Sequence, residues 1–173
     1  MRVVCPAKPE WGLGQVLSDD GGAKVTVFFL AGGKRTLDTT IAELDLMTGK
    51  AASNPTLDVA ARVNWRNAHH NLYVIELTPD VFALEAKFSE ANPGYVPGAR
   101  PCAYVGMTGL TPEERFQAHQ RGNHSARFVK RYGLRLLPDL YKHLNPMPYA
   151  LAAAMEIELA TQLREQGYGV WQH

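Results

Sequence analysis

The sequence predicts an α+β protein in which a small β-unit precedes a unit of mixed α and β structure. Residues 1–47 contain short β-branched and aromatic runs separated by Gly-rich turns, a pattern typical of β-hairpins. From residue 71 onward, strand-like runs alternate with helical patterns. Residues 48–70 differ in composition from both units and are predicted to form a linker. We therefore expect segment boundaries at 1–47, 48–70 and 71–173.

Composition excludes several classes of protein. The 173 residues are 46% hydrophobic and 20% charged, which suits a folded core and not a disordered chain. Eighteen basic and seventeen acidic residues give a net charge of +1, so the total charge indicates neither a nucleic-acid nor a membrane partner. The two cysteines are distant in sequence and suit neither a disulfide framework nor a zinc site. We expect a soluble, cytoplasmic protein without a membrane span.

The first unit has its clearest strand pattern near its centre. Val25 and Val27 alternate and are followed by Phe28 and Phe29, which predicts a strand that buries one face and part of the other, as in small barrels. The run Gly12-Leu13-Gly14 precedes this strand. Because no helix or further glycine follows it at the spacing of a phosphate-binding loop, we interpret it as a turn.

The linker is predicted to contain one short helix. The residues around Asp58 fit roughly three helical turns, with Asp58 in the first turn. His69 and His70 follow. Adjacent residues on a helix point about 100° apart, so we interpret this pair as a solvated helix end, with metal binding as the alternative.

Two strands, a long helix and a closing strand are predicted in the second unit. Residues 71–77 and 102–107 are compact apolar runs rich in β-branched and aromatic residues. Residues 85–100 between them carry two Pro-Gly elements and are predicted to form a long hairpin connection. Residues 148–167 begin with proline, end with glycine and have a nearly ideal helical composition. Residues 168–173 are predicted to add a final strand.

A further helix has an explicit start signal. Thr111 is predicted to be the N-cap and Pro112 the first helical residue, with two glutamates in the first turn, where acids favour the positive end of the helix dipole. Arg115 and His119 lie four residues apart on this helix and share one face.

Cations are concentrated in one stretch of the chain. Residues 115–135 contain six Lys and Arg residues, His119 and His124, and no acidic residue. One interpretation is a solvated helix face, and the other is a surface that follows a polyanion by releasing its counterions. The candidate nucleic-acid contacts are Arg121, Arg127, Lys130, Arg131 and Arg135.

Glu156 interrupts the apolar pattern of the long helix. It shares a helical face with Ala152, Leu159, Ala160 and Leu163. Burying a lone carboxylate is costly, so a buried glutamate needs an ionic partner or a metal. Periodicity leaves two possibilities open, a buried functional Glu156 or a helix rolled so that this residue is exposed. Glu158 is a nearby competitor for the same role.

Residues 71–173 resemble the GIY-YIG endonuclease family. Tyr73 in the run NLYVI is similar to the tyrosine of the first tripeptide, and Tyr104, followed by Val and Gly, to that of the second. Arg115, nine residues after Gly106, matches the family arginine on the next helix. Glu156, with apolar residues at i+3, i+4 and i+7, resembles the family's metal-binding glutamate, whereas Glu158 lacks this apolar pattern.

The resemblance implies a fold and a reaction. The fold is a small central antiparallel β-sheet flanked by helices, and Asn71 stands where the family has its first glycine. The reaction is hydrolysis of phosphodiester bonds in DNA with Mg²⁺ or Mn²⁺, in repair or nucleic-acid processing. The alternative is a catalytically inactive protein that uses this fold to bind nucleic acid or RNA polymerase.

The resemblance also implies a role for each site residue. Glu156 would hold the cation, because Mg²⁺ prefers oxygen ligands and keeps several waters. Arg115 would clamp the scissile phosphate with its planar fork. Tyr73 would orient or deprotonate the attacking water, and Tyr104 would assist it or maintain the geometry. His119 would relay a proton or bind the phosphate.

The first unit has a separate resemblance. Its proline, its GxGxV run at residues 12–16 and its GGKxTL run at residues 32–37 are similar to the small Tudor-like β-barrels of some repair helicases and RNA-polymerase-binding modules. Such barrels bind proteins or nucleic acid without catalysis. The resemblance therefore implies a non-catalytic unit that recruits a protein partner from the repair or transcription machinery, and removing residues 1–47 is expected to weaken targeting while leaving chemistry intact.

Overall fold

The computed structural model describes residues 1–122 and 126–172 and contains two β-sheets, which confirms the α+β class. The first sheet is antiparallel and has the strand order β4-β3-β2-β1-β5. Its strands are β1 (Arg2–Val4), β2 (Gly14–Asp19), β3 (Lys24–Phe29), β4 (Gly33–Asp38) and β5 (Asp45–Met47). Within the described residues, β5 is three residues long and pairs only with β1. The predicted barrel is therefore not closed, because no ladder joins β5 to β4.

Strand β3 has the burial pattern that the sequence predicts. Val25, Val27, Phe28 and Phe29 are all buried, and Thr26 is partly exposed. Phe28 and Phe29 point to opposite faces because successive side chains alternate in a strand. Phe29 lies in a small core within the first unit, whereas Phe28 belongs to the main core of the molecule.

The predicted linker is packed against both units. Its helix, α1 (Pro55–Arg62), begins at Asn54, whose side chain accepts a hydrogen bond from the Leu57 amide. Helix α1 contacts β2 on one side and the long C-terminal helix on the other. The sequence predicted that His69 and His70 end this helix. They do not, because the chain becomes extended at Val63. The two histidines instead directly precede the first strand of the second sheet.

The second sheet is mixed and has the order β8-β6-β7-β9. Its strands are β6 (Asn71–Leu77), β7 (Cys102–Thr108), β8 (Gly133–Leu136) and β9 (Gly169–Gln172). Strand β6 is antiparallel to β7 and β8, but β9 is parallel to β7. The prediction of an antiparallel sheet is therefore wrong at this edge. The long helix before β9 returns the chain to the end of the sheet at which β7 begins, so β9 runs in the same direction as β7.

Five helices accompany the second sheet in the described part of the chain. They are α2 (Asp80–Leu84), α3 (Ala86–Glu90), α4 (Pro112–Gln120), α5 (Arg127–Tyr132) and α6 (Tyr149–Glu165). The predicted starts of α4 and α6 and the closing strand β9 are confirmed. Residues 85–100 do not form a plain hairpin connection, because α3 occupies their first half. No helix among the described residues combines the length and apolar character needed to cross a membrane.

One hydrophobic core extends through both units. Phe28 from β3 and Leu57 from α1 belong to the same buried cluster as the residues of the second sheet and α6. The units also meet through a polar contact, since Nε2 of the His143 side chain lies 2.9 Å from the carbonyl oxygen of Ala31. At Gly33, a Cβ atom would overlap the main chain of His143, and a φ of 71° also favours glycine. The first sheet is thus packed closely against the second unit.

Candidate active site

The register of two central strands brings the predicted tyrosines together. Tyr73 on β6 pairs directly with Gly106 on β7, and Tyr104 lies two residues before Gly106. Residues two apart in a strand point to the same face, so both tyrosines lie on one face of the sheet. Their ring centroids are 6.0 Å apart, and their exposed fractions are 1% and 2%.

Gly106 makes room for the Tyr73 side chain. A Cβ atom on Gly106 would lie 2.6 Å from both Cζ and Oη of Tyr73 and 2.9 Å from a ring carbon of Tyr104. These separations are shorter than atoms tolerate without a shift. The absence of a side chain at this position therefore lets the Tyr73 ring cross over strand β7.

Helix α4 delivers two further predicted residues to the same place. Its start is fixed by a capping box in which Thr111 and Glu114 exchange side-chain and backbone hydrogen bonds. One turn apart on this helix, Arg115 and His119 both reach the Tyr73 hydroxyl group. Nε2 of His119 lies 3.0 Å from Oη of Tyr73, and the Arg115 side chain forms a hydrogen bond with the same hydroxyl.

The hydrogen bonds of His119 assign its tautomer. The backbone amide of Ala126 donates to Nδ1 of His119 at 3.2 Å, so Nδ1 has no proton. A neutral imidazole carries its proton on the other nitrogen, and Nε2 therefore donates to Oη of Tyr73. His119 is fully buried, which also favours the neutral ring.

Burial opposes ionisation of both tyrosines. Burial raises the pKa of Tyr73, while hydrogen bonds from Arg115 and Tyr104 and the Arg115 charge lower it in part. Burial likewise raises the pKa of Tyr104, and the neighbouring Tyr73 and Glu156 raise it further. The hydrogen bond between the two tyrosines lowers the pKa of Tyr73 and raises that of Tyr104. The side chains of His119, Arg115 and Tyr104 thus all lie around the oxygen of Tyr73.

Glu156 faces this cluster from helix α6. It is only 8% exposed, which excludes the rolled helix in which Glu156 points to solvent. Its carboxylate is close enough to raise the pKa of both Tyr73 and Tyr104 electrostatically. All five residues predicted for catalysis therefore belong to one site, contributed by β6, β7, α4 and α6.

Glu158, the competing glutamate, lies on the other side of α6. Its carboxylate accepts hydrogen bonds from Asn54 at 3.4 Å, Thr56 at 3.3 Å and Gln162 at 3.0 Å. These contacts tie α6 to the start of α1. Glu158 therefore has a structural partner set of its own and is separate from the tyrosine cluster.

The predicted nucleic-acid contacts divide into two groups. Arg127 and Arg131 form ion pairs with Glu85 at 2.8 and 3.2 Å, and Arg135 forms one with Glu76 at 2.6 Å. The acids that balance the basic stretch thus come from distant parts of the chain. The other two predicted contacts, Arg121 and Lys130, are exposed near the end of α4 and on α5. His124 lies outside the described residues.

Glu85 is a residue whose importance the sequence did not indicate. It is buried between α2 and α3, and its carboxylate also accepts a hydrogen bond from the Tyr132 hydroxyl at 2.9 Å. Glu85 therefore holds three side chains of α5, those of Arg127, Arg131 and Tyr132. Residue Ala126, which fixes the His119 tautomer, immediately precedes this helix.

The donor set of the site suits Mg²⁺ or Mn²⁺ better than zinc. Among residues 1–122 and 126–172, no group of three or more His, Cys, Asp or Glu side chains is arranged to hold a metal. Structural and catalytic zinc sites require such a group. Magnesium instead binds through one or two carboxylates, several waters and substrate phosphates. The buried carboxylate of Glu156 fits this requirement.

Comparison with known proteins found a match for residues 1–47. Residues 1–47 match the model of a family described as a protein of unknown function, DUF3553. This match ends at Met47, the last residue of β5, and does not include the tyrosine cluster. Searches of curated proteins and of solved structures found no match.

Proposed function

We propose that this chain is a divalent-metal-dependent endonuclease of the GIY-YIG type that hydrolyses phosphodiester bonds in DNA. The observation that carries the proposal is the convergence of His119, Arg115 and Tyr104 on the oxygen of Tyr73, with the buried carboxylate of Glu156 beside them. This arrangement combines a potential proton acceptor, a permanent cation and a metal ligand. Together these groups can activate a water molecule and stabilise the charge that develops on a phosphodiester during hydrolysis.

Arg115 and Glu156 would bind the charged parts of the reaction. The guanidinium of Arg115 offers two parallel donors to the scissile phosphate and remains charged at every working pH. Glu156 would hold Mg²⁺ or Mn²⁺, which supplies positive charge to the water and the phosphate when bound. Both charges already act on the tyrosines, since Arg115 lowers the pKa of Tyr104 and Glu156 raises it.

Tyr73 would accept the proton of the attacking water. Tyr73 would first lose its proton to solvent, aided by the charge of Arg115. The water oxygen then forms a bond to phosphorus, the water proton passes to Oη of the Tyr73 phenolate, and the bond from phosphorus to the leaving oxygen breaks. The leaving oxygen keeps the electron pair and takes a proton from solvent. The donors His119, Arg115 and Tyr104 all stabilise negative charge on Oη, which opposes the effect of burial. Neutral His119 is suited to orienting Oη rather than to binding the phosphate as a cation.

The first sheet and the exposed cations would place the enzyme on its substrate. We propose that the open sheet of residues 1–47 binds a protein partner from the repair or transcription machinery, as its resemblance to Tudor-like units implies. Arg121 and Lys130 would contact the DNA backbone. Arg127, Arg131 and Arg135 remain more than half exposed despite their ion pairs and would contribute less. A cytoplasmic location fits this role.

A cleavage assay with matched glutamate variants tests the proposal. Branched, nicked and plain duplex DNA would be incubated with Mg²⁺ or Mn²⁺ and the wild-type chain, Glu156→Gln, Arg115→Ala and Glu158→Gln. We expect cleavage by the wild type and by Glu158→Gln, which makes the same substitution as Glu156→Gln on the opposite side of α6. We expect at least a hundredfold loss in the other two variants.

Binding measurements on the same variants separate the alternatives. Glu156→Gln is expected to bind DNA as tightly as the wild type, since it removes a metal ligand and no phosphate contact. If no substrate is cut although DNA is bound, the chain is a binding protein on a nuclease-like fold. If Glu156→Gln cuts as fast as Glu158→Gln, the proposed site is wrong.

A further inference from the structure

A row of aromatic rings lies at the outer end of the second sheet. The ring centroids of His69 and His70 are 4.4 Å apart, and those of His70 and Tyr149 are 5.1 Å apart. His69 is exposed, and Tyr149 is 62% exposed although it is a large aromatic residue. We refer to His69, His70 and Tyr149 as the aromatic row. These three rings are not among the residues of the candidate active site.

The aromatic row is continuous with the candidate active site. Tyr149 and Glu156 are seven residues apart on α6, which places them on one side of the helix about 10 Å apart along its axis. His70 lies three residues before Tyr73 at the start of β6. Leu110, just before the N-cap of α4, is 49% exposed, and its carbonyl accepts a hydrogen bond from Asn71 next to the row.

The backbone beneath the row is held in place. The amide of His70 donates to the carbonyl of Met147 at 3.0 Å, and the amide of Met147 donates back to His70 at 2.9 Å. The side chain of Asn145 bonds both the amide and the carbonyl of Leu72 at 2.8 Å. Burial, together with neighbouring His69, lowers the pKa of His70, so its ring is neutral at neutral pH. The row therefore stands on a fixed backbone, and the ring of His70 in it is uncharged.

We propose that the aromatic row stacks against the bases of an unpaired strand next to the scissile phosphate. This inference rests on the proposed nuclease function and specifies its substrate class, a nucleic acid with a single-stranded segment at the cut. Aromatic rings bind unpaired bases by stacking, whereas the bases of an intact duplex already stack on each other. Because Tyr149 lies about 10 Å from Glu156 along the axis of α6, a strand with its phosphate at Glu156 that continues along this helix brings its neighbouring bases to the row.

The test compares probes that differ only in their bases. Fluorescence anisotropy would measure binding of the Glu156→Gln chain to a duplex with a short single-stranded extension and to the same DNA with abasic sites in that extension. Both probes carry the same phosphate charge. The Tyr149→Leu, Tyr149→Phe and Tyr168→Leu changes would be added to Glu156→Gln. Tyr168 is the distant control because it lies beyond the opposite end of α6, where its ring is partly buried against the main core.

We expect the parent chain to bind the base-containing probe about tenfold more tightly than the abasic probe. Tyr149→Leu should abolish this preference, while Tyr149→Phe and Tyr168→Leu should retain it. Equal binding of both probes by the parent chain, or an unchanged preference in Tyr149→Leu, would overturn the inference. So would self-association that Tyr149→Leu abolishes without any effect on DNA, since the row would then join two copies of the chain.

This result is independent of the cleavage assay. A base preference in a chain that cuts no substrate would support the aromatic row and contradict the nuclease. Cleavage by a chain without base preference would support the nuclease and contradict the row.

Discussion

At the Tyr73 hydroxyl, burial and hydrogen bonding act in opposite directions on the pKa. Burial is the larger effect and raises the pKa, while the Arg115 and Tyr104 hydrogen bonds lower it. His119 adds a further donor whose direction is fixed by the Ala126 amide. The pKa of Tyr73 would therefore fall further when a bound divalent cation adds positive charge beside it.

The Gly106→Ala variant tests the packing at this hydroxyl. The new methyl group would meet Cζ and Oη of Tyr73 at 2.6 Å, so we expect the ring to move and cleavage to fall at least tenfold. Overpacking of this kind costs about 1–3 kcal/mol of stability, which urea unfolding would measure. Gly94→Ala is the control, because a Cβ there meets nothing within 4 Å. Normal cleavage by Gly106→Ala would contradict the assigned ring position.

A second residue-level prediction concerns Tyr141. It is 2% exposed, and its hydroxyl has no hydrogen-bond partner among the described residues. Burial and, to a lesser extent, Glu113 raise its pKa to about 12, compared with about 10 in the unfolded chain. Its contribution to stability is therefore present below pH 10 and is lost as the pH rises from 10 to 12, with a slope of at most about 1.4 kcal/mol per pH unit.

Tyr141→Phe should remove this part of the alkaline instability. Urea unfolding at pH 8 and pH 11 would show a smaller loss in the variant than in the wild type, with little change at pH 8 because no hydrogen bond is lost. Tyr149→Phe changes an exposed tyrosine and should retain the wild-type pH dependence. Equal losses in the wild type and Tyr141→Phe would contradict the prediction.

Sequence reasoning worked for site residues whose signals are local. Arg115 and His119 share a face because they are one turn apart, and that relation is fixed once α4 begins at Pro112. Whether Glu156 is buried could not be predicted, because helical periodicity does not determine how a helix is rotated against its sheet. Glu85 was missed for a related reason, since its partners are 42 to 47 residues further along the chain.

The secondary-structure elements show the same division between local and distant causes. The capping box of Thr111 and Glu114 specifies the start of α4 through residues that are only three positions apart. The sequence predicted this start correctly. Helix α3 has only five residues, and helices this short depend on tertiary packing. The parallel pairing of β9 with β7 joins segments more than sixty residues apart, so its register has no local signal.

At the level of helix α5, Glu85 is predicted to be a positioning residue. Glu85→Ala removes the acceptor of Arg127, Arg131 and Tyr132, and we expect it to cost about 2 kcal/mol in urea unfolding. Movement of α5 would also release the Ala126 amide from His119. Nitrogen NMR shifts of the imidazole would then change from a single Nε2–H tautomer to a mixture.

Glu76→Ala is the matched control for this change. It removes one ion pair, with Arg135, whose side chain is 72% exposed, so its expected cost is below about 1 kcal/mol. The His119 shifts should remain those of the wild type. If Glu85→Ala and Glu76→Ala gave the same stability and the same NMR spectrum, Glu85 would have no positioning role.

For the whole molecule, the shared core changes what is expected of the first unit. The sequence alone predicted that residues 1–47 could be removed without affecting chemistry. Phe28 is fully buried in the main core and lies 5.4 Å from the ring of Trp65, so removal of the first sheet would expose part of that core. Point substitutions on the surface of the first sheet are therefore a better test of targeting than truncation.

We predict that both units unfold together. Trp11 packs on Phe29 in the small core, and Trp171 packs on Phe128 in the main core. Variants in which Trp11 or Trp171 is the sole tryptophan, with Trp65 also replaced, therefore report separately on each region. Their urea transitions should coincide. Phe28→Ala should lower both midpoints, at a cost of about 3–5 kcal/mol. A Trp11 transition at lower urea than that of Trp171 would show that the first sheet unfolds independently.

The position of a bound cation tests the central claim most directly. In crystals soaked with Mn²⁺, the anomalous difference map should contain a peak about 2 Å from a carboxylate oxygen of Glu156, beside the Tyr73 and Tyr104 hydroxyl groups. The Glu158→Gln chain should show the same peak, and the Glu156→Gln chain should lack it. A wild-type map with Mn²⁺ only at other sites, and with Glu156 turned away from the tyrosines, would contradict the account.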